Sequence, residues 1–175
     1  DGDTIWMGAA DSSGTVVSFI QSLFWEFGSG VVCPATGVTF QNRGSGFSLD
    51  PGPNHLAPGK RPFHTLNPAL ANLSDGRIMS YGNMGGEGQP QTQGAVFTRH
   101  VQFGHGLQAA ITAPRWLLGK TWGDVGTRLK MEDRFDPALI AQLRQAGHDV
   151  QLVGPFEDMM GHAGAVVVHP DGLIE

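Results

Sequence analysis

The chain has 175 residues, 40% of them hydrophobic and 15% charged, with a formal net charge of −5 and one cysteine. That composition fits one globular domain, or one subunit of a larger fold, rather than a disordered segment. No apolar run approaches the ~18 residues of a membrane helix, and an acidic balance without a Lys/Arg cluster excludes a nucleic-acid partner.

The lone Cys33 excludes an internal disulfide and a cysteine zinc site, and it favours the cytoplasm over the periplasm as the expected compartment. Glycine, at 26 residues, is about twice its usual ~7% share, which predicts many tight turns and places where main chain meets a ligand. No secretory leader is visible, and the first residue is Asp1 rather than methionine, so a preceding segment is expected.

In chain order, residues 4–10 and 15–24 read as two strands joined by "DSSG", a polar, glycine-containing hairpin turn. Residues 27–62 carry five prolines and seven glycines between short apolar pieces, the pattern of irregular loops with short strands. "PALANL", "SDG" and "RIMSYG" read as strand, turn and strand.

Residues 91–104 space Val96, Phe97 and Val101 on one helix face, and residues 106–116 read as a second helix stopped by Pro114. "DPALIAQLRQAGH" predicts a helix with Asp136 as N-cap, Pro137 in the first turn, Leu139, Ile140 and Leu143 on one face, and Gly147 as the stop. "HDVQLVG" and "AGAVVVHPDGLIE" supply closing strands, the last broken off just after the "PDG" turn, as if a short tail followed. Strands flanking a central block of helices predict an α+β layered domain.

Few residues announce chemistry by themselves. The seven histidines (His55, His64, His100, His105, His148, His162 and His169) include no HExxH and no pair at ligand spacing, so neither a metal nor a cofactor is expected. GxSxG and an evident carboxylate pair are also missing. Thr4 is in isolation a strand residue, and Arg43 in "QNRGSGF" a surface arginine or a fork for a carboxylate. The glycines of "MGGEG" form a turn, or else aim adjacent N–H groups at an oxyanion. Trp6 and Trp25 read as core or pocket wall.

Taken together, "TIWMGAADSSGTVVSFIQSLFWEFGSGV", "APGKRPFHTLNPAL", "YGNMGG", "TAPRW" and "FDPALIAQLRQAGHDV" resemble, in order and spacing, the small subunit of the γ-glutamyltranspeptidase family, along essentially the whole chain. The resemblance implies an N-terminal-nucleophile (Ntn) hydrolase, an αββα sandwich of two stacked sheets between helices. Residues 1–175 would be a single catalytic small-subunit domain, completed by a larger subunit from the same self-cleaving precursor, with a dimer of such heterodimers as one assembly open to it.

By position, the resemblance implies that Thr4 is the nucleophile, seven residues ahead of Asp11, and that Ser22 is the family's second hydroxyl, holding the amine or assisting cleavage. Gly85 and Gly86 match the oxyanion-hole pair. The freed α-amine of Thr4, with a reference pKa of about 7.7–8.0, would act as base. Asp1, Gly2 and Asp3 ahead of Thr4 depart from the pattern of a processed chain.

The pocket departs as well. Phe24 stands where γ-glutamyl enzymes have the asparagine for the substrate α-carboxylate, Gly46 where they have the aspartate for the α-amine, Arg43 in place of a glutamine, and His64 and Thr65 in place of two serines. Without an anionic partner a substrate ammonium would be buried uncompensated. The expected substrate is therefore a small amide that bears a carboxylate and no amine, as in the oxamate-hydrolysing branch. A cephalosporin or dicarboxyl-monoamide acylase, a γ-glutamyl hydrolase or transferase, and an unprocessed ligand-binding homologue are the alternatives.

Overall fold

The computed structural model describes residues 4–120 and 126–175; Asp1, Gly2 and Asp3 lie outside the described residues. Strands β1 (Thr4–Ala10) and β2 (Val16–Ser22) form an antiparallel ribbon, with register running from Thr4 opposite Ser22 to Ala10 opposite Val16. The turn between them is closed by the Asp11 carboxylate, which accepts hydrogen bonds from the N–H groups of Ser13 and Thr15 and from the Ser13 hydroxyl. The second strand ends two residues earlier than expected, because Phe24 leaves the extended region with φ 79°.

A second sheet has the order β3 (Ala69–Asn72), β4 (Ile78–Asn83), β8 (Ala163–Val168), all antiparallel. Its two faces are committed differently by strand alternation. Met79 and Val167 point to one side and are fully buried against Val96 of α1 (Gln89–Phe97) and Leu107 of α2 (Leu107–Thr112), with Tyr81, Phe97, Val101 and Ile111 around them. Each such side chain stabilises the fold by about 1.5–3 kcal/mol. The helical stretch after α1 continues as a π-type turn over Thr98–Gln102, which keeps Val101 on the buried face as its spacing predicts.

The other face of the sheet receives the β1–β2 ribbon. Ser80 Oγ donates to the Val17 carbonyl (2.8 Å), Ser18 Oγ to the Tyr81 carbonyl (3.4 Å), and Trp6 Nε1 to Ser18 Oγ (2.9 Å). Trp6 lies over the paired glycines Gly82 and Gly164, where a Cβ would come within 2.0 Å and 2.6 Å of the ring. Helices, sheet and ribbon are thus three layers of the α+β sandwich, with the ribbon outermost.

The C-terminal half departs from the expected block of helices. Helix α2 stops at Thr112, because Ala113, placed before Pro114, is extended (ψ 150°). Trp116 then opens strand β5 (Trp116–Leu118) rather than prolonging a helix. Strand β6 (Leu129–Glu132) is a further element absent from that expectation: its alternation, Leu-Lys-Met-Glu, runs for only four residues, too short to stand out from a loop.

Helix α3 (Pro137–Gln145) begins as predicted, with Asp136 accepting from the Ala138 N–H (2.8 Å), and ends at Gly147 with φ 95°. It links β6 to the parallel β7 (Val150–Val153), so Ile140 is buried against Met131 and Val150 while Leu139 is 40% exposed instead of buried. Residues 27–62 hold only isolated pairings, Val32 with Thr39 and Ser48 with His55, in place of short strands. The "PDG" turn does return the chain, with Ile174 bridging Val168.

Gly82→Ala is expected to destabilise the protein by about 1–3 kcal/mol, since the new methyl group must displace Trp6. Denaturant unfolding would measure this, and adding Trp6→Leu should restore part of the loss. An unchanged midpoint for Gly82→Ala would contradict the stacking.

Candidate active site

Thr4 opens β1 opposite Ser22, and its Oγ1 donates to Ser22 Oγ at 2.7 Å. Ser22 Oγ accepts a second bond from the Phe24 N–H (2.9 Å). The two hydroxyls therefore form a relay whose outer end is clamped by the main chain. Phe24 itself is a bulky residue in left-handed backbone, a conformation that costs about 1–2 kcal/mol and that concentrates at functional sites.

That turn lays the Phe24 ring under Arg43, whose guanidinium carbon is 4.8 Å from the ring centroid. Arg43 begins a 3₁₀ turn (Arg43–Gly46) and is only 4% exposed. Among the described residues its head group donates to Thr65 Oγ1 (3.2 Å) and meets no carboxylate, and desolvation alone lowers its pKa. A buried cation held on a ring and one hydroxyl is costly unless an anion completes it.

His64 lies beside it, with Nδ1 accepting from the Leu66 N–H (3.2 Å). Partial desolvation, and next the charge of Arg43, pushes the imidazole pKa below its ordinary value. At neutral pH the pocket's positive charge is therefore that of Arg43.

Thr4, Ser22, Phe24, Arg43, Thr65 and His64 are joined by this run of neighbouring contacts. Gly85 and Gly86 reach the same end of the molecule through the stacked layers. Trp6 sits over Gly82 and Gly164 and Gly8 faces Val166, so β1 runs alongside β8 and its first residue lies toward the end of β4 from which the glycines depart. Gly85 (φ 122°) and Gly86 (φ 54°) both need left-handed backbone, which explains the residue type. Gly88 N–H closes the turn on the Gly85 carbonyl, whereas no acceptor for the Gly85 or Gly86 N–H is found among the described residues.

The glycine turn is braced from behind by residues that sequence reasoning did not single out. Gly161 packs its backbone against Gly85 and Asn83, close enough that a Cβ would strike the Met84 carbonyl. Arg115, 9% exposed, holds that segment by donating to the Met160 and Gly161 carbonyls, and its own N–H is fixed on the buried carboxylate of Glu132 (3.0 Å). "TAPRW" was the available signal, a motif without an assigned role. Trp25, by contrast, is no core residue: it is 50% exposed and stacks on Phe24 at 5.9 Å.

Histidine-resolved NMR titration should give His64 a midpoint below the ordinary value of about 6.5, and Arg43→Ala should move it upward by removing both the charge and part of the burial. A midpoint unchanged by Arg43→Ala would contradict the pairing of these two groups.

Comparison with known proteins agrees with this geometry. The family model described as gamma-glutamyltranspeptidase matches residues 1–175. The oxamate amidohydrolase proenzyme of Klebsiella pneumoniae is 62% identical over 99% of the chain, and the glutathione hydrolase-like YwrD proenzyme of Bacillus subtilis 46% over 99%. In both cases the chain spans about a third (33%) of the relative's length. The crystal structure of a cephalosporin acylase from Bacillus halodurans superimposes with a TM-score of 0.78 at 35% identity, covering 97% of this chain and 31% of that one. A two-stranded ribbon stacked on a glycine-ended sheet, and a sequence match from end to end, lead to one conclusion: the chain belongs to the γ-glutamyltranspeptidase family of Ntn hydrolases.

Proposed function

We propose that this chain is the catalytic part of a self-processing amidohydrolase that cleaves a small, carboxylate-bearing amide of the oxamate type. The observation that carries the substrate reading is Arg43: a buried guanidinium, stacked on Phe24, with no carboxylate among the described residues and within a short run of contacts from the Thr4–Ser22 pair. The 62% identity to an oxamate amidohydrolase proenzyme supports the same reading.

In the proposed cycle Arg43 pairs with the substrate carboxylate and sets the amide carbonyl over Thr4. The Thr4 hydroxyl adds to the carbonyl carbon while its own α-amine, free once the peptide bond before Thr4 is cut, takes the proton. The Gly85 and Gly86 N–H groups receive the oxyanion, each donor being worth about 3–4 kcal/mol in the transition state. The protonated amine passes its proton to the departing ammonia, and water, deprotonated by the same amine, releases the acyl group and regenerates Thr4. Ser22, bonded to Thr4 Oγ1, keeps that hydroxyl oriented in both processing and turnover.

A γ-glutamyl donor fits poorly, since Gly46 offers no side chain for its ammonium and Phe24 occupies the floor. A longer dicarboxylic monoamide must find room above that ring.

The rest of the precursor is proposed to cover the outer face of the β1–β2 ribbon. There Ile5, Met7, Val17 and Phe19 are between 41% and 56% exposed, and an apolar trough of about 710 Å³ runs past Ile5, Met7, Leu23 and Val32. A larger subunit from the same precursor is the expected occupant, since this chain makes up about a third (33%) of its relatives' length. No helix among the described residues is long and apolar enough to cross a membrane, and the free Cys33 is in keeping with a reducing compartment.

Ammonia release from oxamate and from a neutral amide of similar size tests the substrate reading. Arg43→Ala should raise KM for oxamate roughly 10–100-fold, the worth of a charge-assisted hydrogen bond, and change KM for the neutral amide about twofold or less. Equal effects on both amides, or no ammonia from oxamate with the parent enzyme, would overturn it.

A further inference from the structure

The two sides of the Arg43 pocket come from segments far apart in sequence: Arg43–Gly46 on one side, His64 and Thr65 on the other. Between them the chain makes an excursion from Phe47 to Phe63. Along residues 49–61 nearly every side chain is exposed; Asn54, half-buried with Pro62 at the far margin, is the exception within that run. Its amide is used at both ends, each time on main chain at the neck of the excursion. Nδ2 donates to the Gly46 carbonyl at 2.6 Å, and Oδ1 accepts from the Phe63 N–H at 3.1 Å.

Gly46 ends the turn that begins with Arg43, and Phe63 immediately precedes His64. The neck is completed on the pocket side by Arg43 Nη1 on Thr65 Oγ1. The tip is held separately: Lys60 Nζ donates to the Pro53 and His55 carbonyls (2.6 and 3.0 Å), and His55 Nδ1 lies 3.0 Å from the Asp50 carbonyl.

We infer that Asn54 is a positioning residue for the carboxylate pocket, a single amide that sets the gap between the Arg43 turn and the His64–Thr65 segment. The inference rests on the proposed role of Arg43. A short carboxylate must meet the guanidinium while its amide carbonyl sits over Thr4, so a shift of either wall changes binding of the anion before it changes the chemistry at the hydroxyl. The two contacts need a donor and an acceptor on one short side chain: aspartate has no N–H for Gly46, serine reaches at most one of them, and glutamine carries the same amide one methylene farther out.

The test uses the processed, full-length enzyme with oxamate and a neutral amide, comparing Asn54→Ala, Asn54→Ser, Lys60→Ala and Arg43→Ala. Asn54→Ala should raise KM for oxamate about tenfold, the effect of losing two ordinary hydrogen bonds, with kcat and the neutral amide's KM within about twofold. Asn54→Ser should fall between it and the parent, and it keeps the test usable if the alanine variant folds poorly.

Lys60→Ala, which frees only the tip, should leave all these constants unchanged. Equal loss with Lys60→Ala, or parallel loss on both amides with Asn54→Ala, would reduce Asn54 to general loop stability and overturn the inference. If Asn54→Ala has no effect while Arg43→Ala removes the preference for the anion, the inference fails and the pocket reading stands. If Arg43→Ala leaves the preference intact, both fail.

Discussion

The seating of Trp6 on the glycine pair Gly82 and Gly164 is the constraint from which the site follows. A two-stranded ribbon has no stability of its own, and its position on the three-stranded sheet is fixed by how deeply that indole sinks between bare backbones, with Ser18 and Ser80 locking the register on either side. With Trp6 fixed, Thr4 two residues earlier is carried to the end of β4 that runs into Gly85 and Gly86. Thr4, the proposed nucleophile, and the proposed oxyanion donors thus lie on different layers, each placed by the packing of strands. The brace from Glu132 through Arg115 to Gly161 plays the matching part behind the glycine turn.

Where the layers provide rigidity, the pocket carries strain and unbalanced charge. Phe24 holds left-handed backbone that an asparagine, the residue expected there in γ-glutamyl enzymes, tolerates more easily. The cost is offset by the flat contact that the ring then makes with Arg43. Partial burial, with the charge of Arg43 adding to it, lowers the pKa of the neighbouring His64, so one fixed positive charge, rather than a titrating pair, lines the pocket. In the proposed cycle such a pocket selects charge and size and leaves the reaction to Thr4.

Much of this was legible in the sequence, though unevenly. The ribbon and its turn, the strands about "SDG", and the Asp136 cap were readable because local chemistry and tertiary structure agree there. Thr4, Ser22 and the glycine pair are singled out only by ordered blocks of family resemblance, and their roles stay proposals, since neither a threonine nor two glycines carry a distinctive period or spacing.

β5 and β6 escaped because buried strands such as "LKME" take their partners from distant chain, with Lys130 and Glu132 fully buried in a strand that reads as polar. Asn54 and Arg115 were invisible for a related reason. Each acts by bonding main-chain groups brought near by folding, and nothing in the neighbouring residues records which groups those are.

The central claim is that Thr4 works as an N-terminal nucleophile whose own amine is the base. Intact-mass measurement and N-terminal sequencing of the full-length protein after it has acquired amidase activity, with ammonia release followed in the same sample, test this most directly. The account predicts that activity appears in step with a chain whose first residue is Thr4. Full activity in a sample where Thr4 is still joined to Asp3 would contradict it, because the amide nitrogen at that position cannot accept the hydroxyl proton.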